Sequence, residues 1–403
     1  MKRTIDEFLQ DGKYLKVLFR KLVDLNTAYA THDLYPYPAK FIPHVVRFFL
    51  EKYTRPGDLV FDPFAGSGTL AVEAEITGRN YLLWDLNPFI EILVRAETWR
   101  GEVDERGLEA DFDYASKFTP AWKNLHYWHP KQFVEVLSRA WGYYHSKPNP
   151  LMAVALLKVT KFFSYAELEF PKLHKSKVAI QRVESLLKDN WKERMKDMYR
   201  EEVSRVARKV REFQSLCKPS RGEVRGGVDV LYENPPEVDS VITSPPYLQA
   251  QEYIRSFKLE LFWLGYTEDQ VRTLGKREIP YNSPPPVEVE SKTYKYYLEK
   301  VREVNHGHLL RIYTAYFSSL VSFLKKVRAR TLGVFVGPVK VRNLRIPIDE
   351  ILRECLEGEG WVHERTYIDT IVSRRMKRMK ENPATGLEEE LTPTEHLLVM
   401  KRG

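Results

Sequence analysis

Residues 58–69 constrain the fold of this chain more than any other stretch. Asp58-Leu59-Val60-Phe61 is a short apolar run ending in Asp62, and Pro63-Phe64-Ala65-Gly66-Ser67-Gly68 then turns into a helix that opens at Thr69. A strand that passes through a tight turn straight into a helix belongs to a parallel sheet, with its crossover packed on one face. Gly66 and Gly68 let the backbone approach a ligand closely and leave amides exposed at a helix N-terminus. A second apolar run, Tyr81-Leu82-Leu83-Trp84, ends in Asp85, at the spacing where an acidic residue meets ribose hydroxyls in doubly wound folds. A lone G-x-G also serves phosphates and plain turns. Here Asp62 stands where a nicotinamide-type site would want a third glycine, and an acidic group there suits a cationic ligand.

A second strand end carries different chemistry. The apolar pattern Val238 to Ile242 runs into Thr243-Ser244-Pro245-Pro246-Tyr247. Prolines fix φ and lack an N–H, so neighbouring carbonyls point outward as free acceptors. An exocyclic amine on a flat base can give one hydrogen to the Ser244 hydroxyl and the other to the Pro245 carbonyl. The Tyr247 ring can stack on that base, a contact of roughly 1–3 kcal/mol. Pro-Pro alone more often marks an ordinary turn; its pairing with the upstream motif favours the chemical reading.

Together, DPFAGSGT (Asp62 to Thr69) and TSPPY (Thr243 to Tyr247) resemble the S-adenosylmethionine-dependent amino-methyltransferases that act on nucleic-acid bases. The resemblance implies an α/β fold: a doubly wound, Rossmann-like class I methyltransferase sheet with a closing antiparallel hairpin, plus a mainly helical insertion. It implies S-adenosylmethionine as cofactor, with Asp62, Pro63, Phe64, Gly66, Ser67, Gly68 and Thr69 at its methionine end. Asp85 then meets the ribose with Asn87 beside it, and Thr243 belongs to the same site. Tyr37, Pro38, Ala39, Lys40 and Phe41 look like the family's segment over the methionine. Asp229, in Gly227-Val228-Asp229-Val230-Leu231, resembles the adenine contact, although its spacing from glycine departs from the usual adjacency. The ledge of Ser244, Pro245, Pro246 and Tyr247 is assigned to the target amine. Within the family Ser-Pro-Pro-Tyr goes with cytosine N4 and Asp-Pro-Pro-Tyr with adenine N6. The likeness extends equally to DNA-modifying enzymes and to archaeal ribosomal RNA cytosine-N4 methyltransferases. Adenine N6 is the alternative within the class, and a catalytically silent nucleic-acid binder is the alternative outside it.

The organisation expected along the 403 residues is a cofactor-binding half over 1–104, a helical insertion for target recognition over 105–220, and a catalytic half over 221–403. The net charge of +8 suits a polyanionic partner, DNA or ribosomal RNA. Richness in Lys, Arg and Glu fits a thermophilic source. Cys217 and Cys355 have neither metal-ligand spacing nor a place in a motif that would attack a ring carbon. No metal site is expected, and methylation of an exocyclic amine needs no covalent intermediate. No run is long enough to span a bilayer, which points to the cytoplasm.

Aromatics and lysines interleave over 162–177, a pattern suited to stacking and phosphate neutralisation. Lys172, Lys175 and Lys177 are therefore candidate substrate contacts, with Tyr253 after the ledge and Arg374, Arg375, Lys377 and Arg378 in the closing hairpin. His32 and His44 read as structural. The spacing predicts helices over 44–53, 150–163, 178–215, 257–264, 295–326 and 347–357. It predicts strands over 332–336, 362–372 and 396–400, and an exposed loop over 276–292.

Overall fold

The apolar runs fold into one eight-stranded sheet in a computed structural model that describes residues 12–168, 173–248, 252–303, 307–341, 344–370 and 394–402. The strands in chain order are β1 (Tyr14–Val17), β2 (Leu59–Asp62), β3 (Asn80–Asp85), β4 (Gly222–Gly226), β5 (Ser240–Thr243) and β6 (Thr331–Val336). A separate hairpin pairs β7 (Val339–Val341) with β8 (Leu344–Ile346), and β9 (Trp361–Thr370) and β10 (Thr394–Arg402) close the main sheet. The order across the sheet is β4-β3-β2-β5-β6-β10-β9-β1. Neighbours pair in parallel except β10, which runs antiparallel to both β6 and β9. Strand β1 extends the edge parallel to β9; the charged N-terminal sequence carried no sign of it. This is a Rossmann-like methyltransferase fold. The strand order reverses between β2 and β5, and such a switch point leaves a crevice beyond the strands' carboxyl ends. The ends that meet there are those of Asp62 and Thr243.

Both faces of the sheet are covered, so adjacent strand residues enter different cores. Val60, Leu83, Ile242, Leu397 and Val399 join one cluster, and Phe61, Leu82, Val241, Leu398 and Met400 join the other. The helices α1 (Pro43–Tyr53), α2 (Thr69–Thr77) and α3 (Phe89–Glu97) follow the first three apolar segments. The helical layer comprises α4 (Lys131–Ser146), α5 (Pro150–Phe162), α6 (Lys177–Leu187) and α7 (Trp191–Leu216). Asn149 starts α5 by accepting the Leu151 N–H at 2.8 Å, and Pro150 occupies the first turn where its missing N–H costs nothing.

Two expectations change. The stretch 178–215 is two helices, because Asp189 and Asn190 interrupt the ladder: Asp189 Oδ1 takes the Asn190 N–H at 2.8 Å, and Trp191 turns to pack on Phe133 at 5.0 Å between ring centroids. The stretch 295–326 is likewise two helices, Lys292–Glu303 and Gly307–Leu324. Tyr313 lies against Tyr294 with ring centroids 5.1 Å apart, whereas a continuous helix would separate them by about 28 Å. The aromatics of the helical layer belong to a core shared with the rest of the chain. Trp141, Leu156 and Phe163 share one cluster with Leu34, Phe89 and Leu93 and with Phe257 and Trp263 of the segment after the ledge. At that seam Glu260 Oε1 accepts both Lys161 Nζ at 2.9 Å and the Tyr35 hydroxyl at 2.8 Å. Among the described residues no helix is long and apolar enough to cross a membrane.

Candidate active site

Beyond the carboxyl ends of β2 and β5 lies a cavity that opens to solvent. Its walls come from the 37–41 loop, the turn 63–67, residues 85–87 after β3, residues 228–230 after β4, the ledge, and residues 253–254 and 277–279. The two motifs are tied directly beneath it. Thr243 Oγ1 donates to Asp62 Oδ1 at 2.6 Å, and the Phe64 N–H reaches the same oxygen at 3.1 Å. Asp62 is thus one layer below the cavity, holding the two strand ends together, and does not line it as a direct cation contact would. Burial, with Asp85 adding like-charge repulsion, pushes its carboxyl up to about 7 against the bonds it accepts.

Asp85 does line the cavity. Its Oδ2 accepts the Gly66 N–H and its Oδ1 the Asn87 N–H, both at 2.7 Å. Burial raises it to about 6, those two bonds opposing. Gly66 sits at φ 54°, and a Cβ there would meet the Tyr37 ring at 3.4 Å. That left-handed backbone favours glycine, and the Tyr37 ring lies in contact with the position a side chain would take. Gly68, at φ 74°, stands before the first turn of α2. Thr69 Oγ1 donates to the Phe41 carbonyl at 2.9 Å, pinning the 37–41 loop to the helix start. The loop is also held through Glu73, which accepts Arg47 Nε at 2.7 Å, contacts His32 Nε2 at 2.7 Å and accepts the Tyr29 hydroxyl. Lys40 reaches the His32 carbonyl, while His44 Nε2 meets the Leu25 carbonyl at 2.8 Å. Both histidines therefore serve the scaffold.

Tyr37, Ala39, Lys40, Phe41, Pro63, Phe64, Gly66, Ser67, Asp85, Asn87, Asp229, Ser244, Pro246 and Tyr253 are brought to one cavity. Pro38, Asp62, Gly68, Thr69, Thr243 and Pro245 do not line it. Tyr253 lies nearly parallel to Tyr37, with ring centroids 6.5 Å apart. Tyr247 is outside the lining, and its hydroxyl donates to Glu395 Oε1 of β10 at 3.0 Å. Lys175 is committed within the helical layer, over the rings of Tyr165 at 3.9 Å and Tyr127 at 4.8 Å. Lys177 is exposed at the start of α6. Lys172, Arg374, Arg375, Lys377 and Arg378 lie outside the described residues.

The 276–292 stretch differs from the exposed loop expected of it. Helix α8 (Glu268–Arg277) delivers Glu278 and Ile279 into the cavity wall, both buried. Glu278 Oε1 accepts the Ile254 N–H at 2.8 Å, and burial raises its carboxyl to about 7. No motif spacing marks this glutamate; the fold alone turns it under Tyr253.

A doubly wound sheet with a glycine turn, an acidic strand end and a proline ledge in one crevice defines a Rossmann-like methyltransferase scaffold. In sequence, residues 9–95 match the N6_N4_Mtase family model, described as DNA methylase. Over 338 residues the chain is 22% identical to the Type II methyltransferase M.BsoBI of Geobacillus stearothermophilus, covering 75% of this chain and 65% of that protein. Over 58 residues it is 43% identical to the Type II methyltransferase M.MjaII of Methanocaldococcus jannaschii, which is 14% of this chain and 11% of that protein. The chain thus spans 65% or less of the length of these relatives. Among solved structures, the rRNA methyltransferase aviRa from Streptomyces viridochromogenes aligns over 91% of this chain and 88% of that one, at 10% identity and a TM-score of 0.32.

Proposed function

We propose that this protein is an S-adenosylmethionine-dependent methyltransferase acting on an exocyclic amine of a nucleic-acid base, with cytosine N4 as the target. The observation that carries this reading is that Ser244 and Pro246 line the same cavity as Gly66 and Asp85, so a donor and an amine can meet. The lining also suits the donor's parts. Asp85 offers acceptors to hydroxyls, and Val228, Val230 and Ile279 offer flat apolar area to a purine.

When bound, S-adenosylmethionine supplies an electrophilic methyl group on a sulfonium. The chain's own contribution is positioning. The lone pair of an exocyclic amine is delocalised into the ring and becomes nucleophilic only as the nitrogen pyramidalises. Ser244 Oγ, an acceptor in the cavity wall, holds an amine hydrogen so that the lone pair turns toward the methyl group. Ser244 is neutral, where the adenine enzymes of the resembled family carry aspartate. The base must leave its stack to reach the ledge, at a cost of about a few kcal/mol that is smaller for an unpaired base. We assign recognition of the surrounding strand to the helical layer over 105–220, with Lys177 at its surface.

Incubation with methyl-labelled donor and either duplex DNA or ribosomal RNA, then digestion to nucleosides, tests the proposal. Label in N4-methylcytosine from one of the two substrates is expected. Label in N6-methyladenine would move the assignment to adenine, and no label in either would refute it.

A further inference from the structure

Glu278 belongs to neither sequence motif, yet it is 8% exposed and faces the same cavity as Asp85 and Ser244. The charges around that cavity are unevenly matched. Lys40 lies in the field of Glu97 and Asp33, and Arg277 faces Asp229. Asp85 and Glu278, in contrast, have backbone donors only: Gly66 and Asn87 for the first, Ile254 and Tyr253 for the second. Among the described residues no lysine or arginine forms an ion pair with either. Glu252 and Asp85 act on Glu278 as like charges. Burying an acid without a cation is unfavourable. A positively charged occupant relieves that cost.

On the reading of the cavity as a methyl-donor site, we propose that Glu278 is a donor-binding residue: its carboxylate selects the sulfonium form of the ligand over its neutral, demethylated product. Transfer of the methyl group removes the ligand's positive charge at sulfur, so this carboxylate would hold the donor and loosen its grip on the product. The carboxylate has a second task, since its bond to the Ile254 N–H fixes the segment that carries Tyr253. Glutamine keeps that acceptor and removes only the charge.

Calorimetric titration tests the assignment with three ligands: S-adenosylmethionine, S-adenosylhomocysteine, and the analogue bearing an amine in place of the sulfonium. The wild-type protein should bind the two cationic ligands about tenfold more tightly than the neutral thioether. In Glu278→Gln that ratio should shrink to about twofold, with thioether affinity held within about twofold. An unchanged ratio in the variant, or equal affinities of all three ligands for the wild type, would overturn the role of Glu278. The wild-type comparison stands whether or not the variant folds. Failure of the wild type to bind any of the three would instead overturn the donor reading of the cavity, and this inference with it.

Discussion

Asp62→Asn isolates the group that ties the two motifs together. The carboxyl is 1% exposed and pushed up from 3.8 to about 7. Holding it ionised in the fold therefore costs about 4 kcal/mol relative to the unfolded chain. The folded protein binds the proton more tightly than the unfolded chain does. The cost is consequently absent below about pH 4, grows as pH rises, and is fully developed above about pH 7. Asparagine keeps an oxygen for the Thr243 hydroxyl and the Phe64 N–H, so the link between β2 and β5 can persist. Its amide adds a buried donor, a penalty of about 1–3 kcal/mol that does not vary with pH. The variant should be less stable than the wild type at pH 4 and at least as stable at pH 8. The difference between them should move by about 4 kcal/mol across that interval. Denaturant unfolding of both proteins at half-unit pH steps measures it. Because Glu278 and Glu97 titrate in both proteins, the difference curve reports Asp62 together with its repulsion from Asp85. A curve flat to within about 1 kcal/mol would refute the argument that a buried, repelled carboxylate sits at the junction.

Three shorter tests address the site and the packing. Ser244→Ala should lower turnover by about a hundredfold while changing the donor dissociation constant less than about twofold; equal losses in single-turnover rate and calorimetric affinity would contradict the ledge. Asp85→Ala should weaken donor binding by about tenfold or more, because it removes cavity acceptors and the anchor of the Gly66 and Asn87 amides; an unchanged dissociation constant would take Asp85 out of the site. Gly142→Ala should lower unfolding free energy by about 1–3 kcal/mol, since its Cβ would stand 2.0 Å from the Ser116 carbonyl oxygen; calorimetry showing no loss would mean that Ser116 does not pack against α4 at Gly142.

Local sequence was enough wherever one short stretch carried its own instruction. An apolar run, a proline or glycine turn and the start of a helix each depend on neighbours a few residues away. So β2, β3, β5 and α3 were legible, as were the glycine turn and the proline ledge at strand ends. The breaks in the long helical patterns were harder to see. Periodicity reports that one face is apolar, and Tyr294 and Tyr313 satisfy that pattern equally well in one helix or in two that pack against each other.

What the sequence by itself determined was a parallel α/β sheet with two chemically distinct strand ends. That they share a cavity was decided by the strand order, which sets Asp62 and Thr243 side by side although 181 residues separate them. Tertiary structure alone also sent Tyr247 to Glu395, added β1 to the sheet edge and turned Glu278 into the wall. Side-chain chemistry is written locally, but the neighbours that set a group's burial and charge arrive from distant parts of the chain.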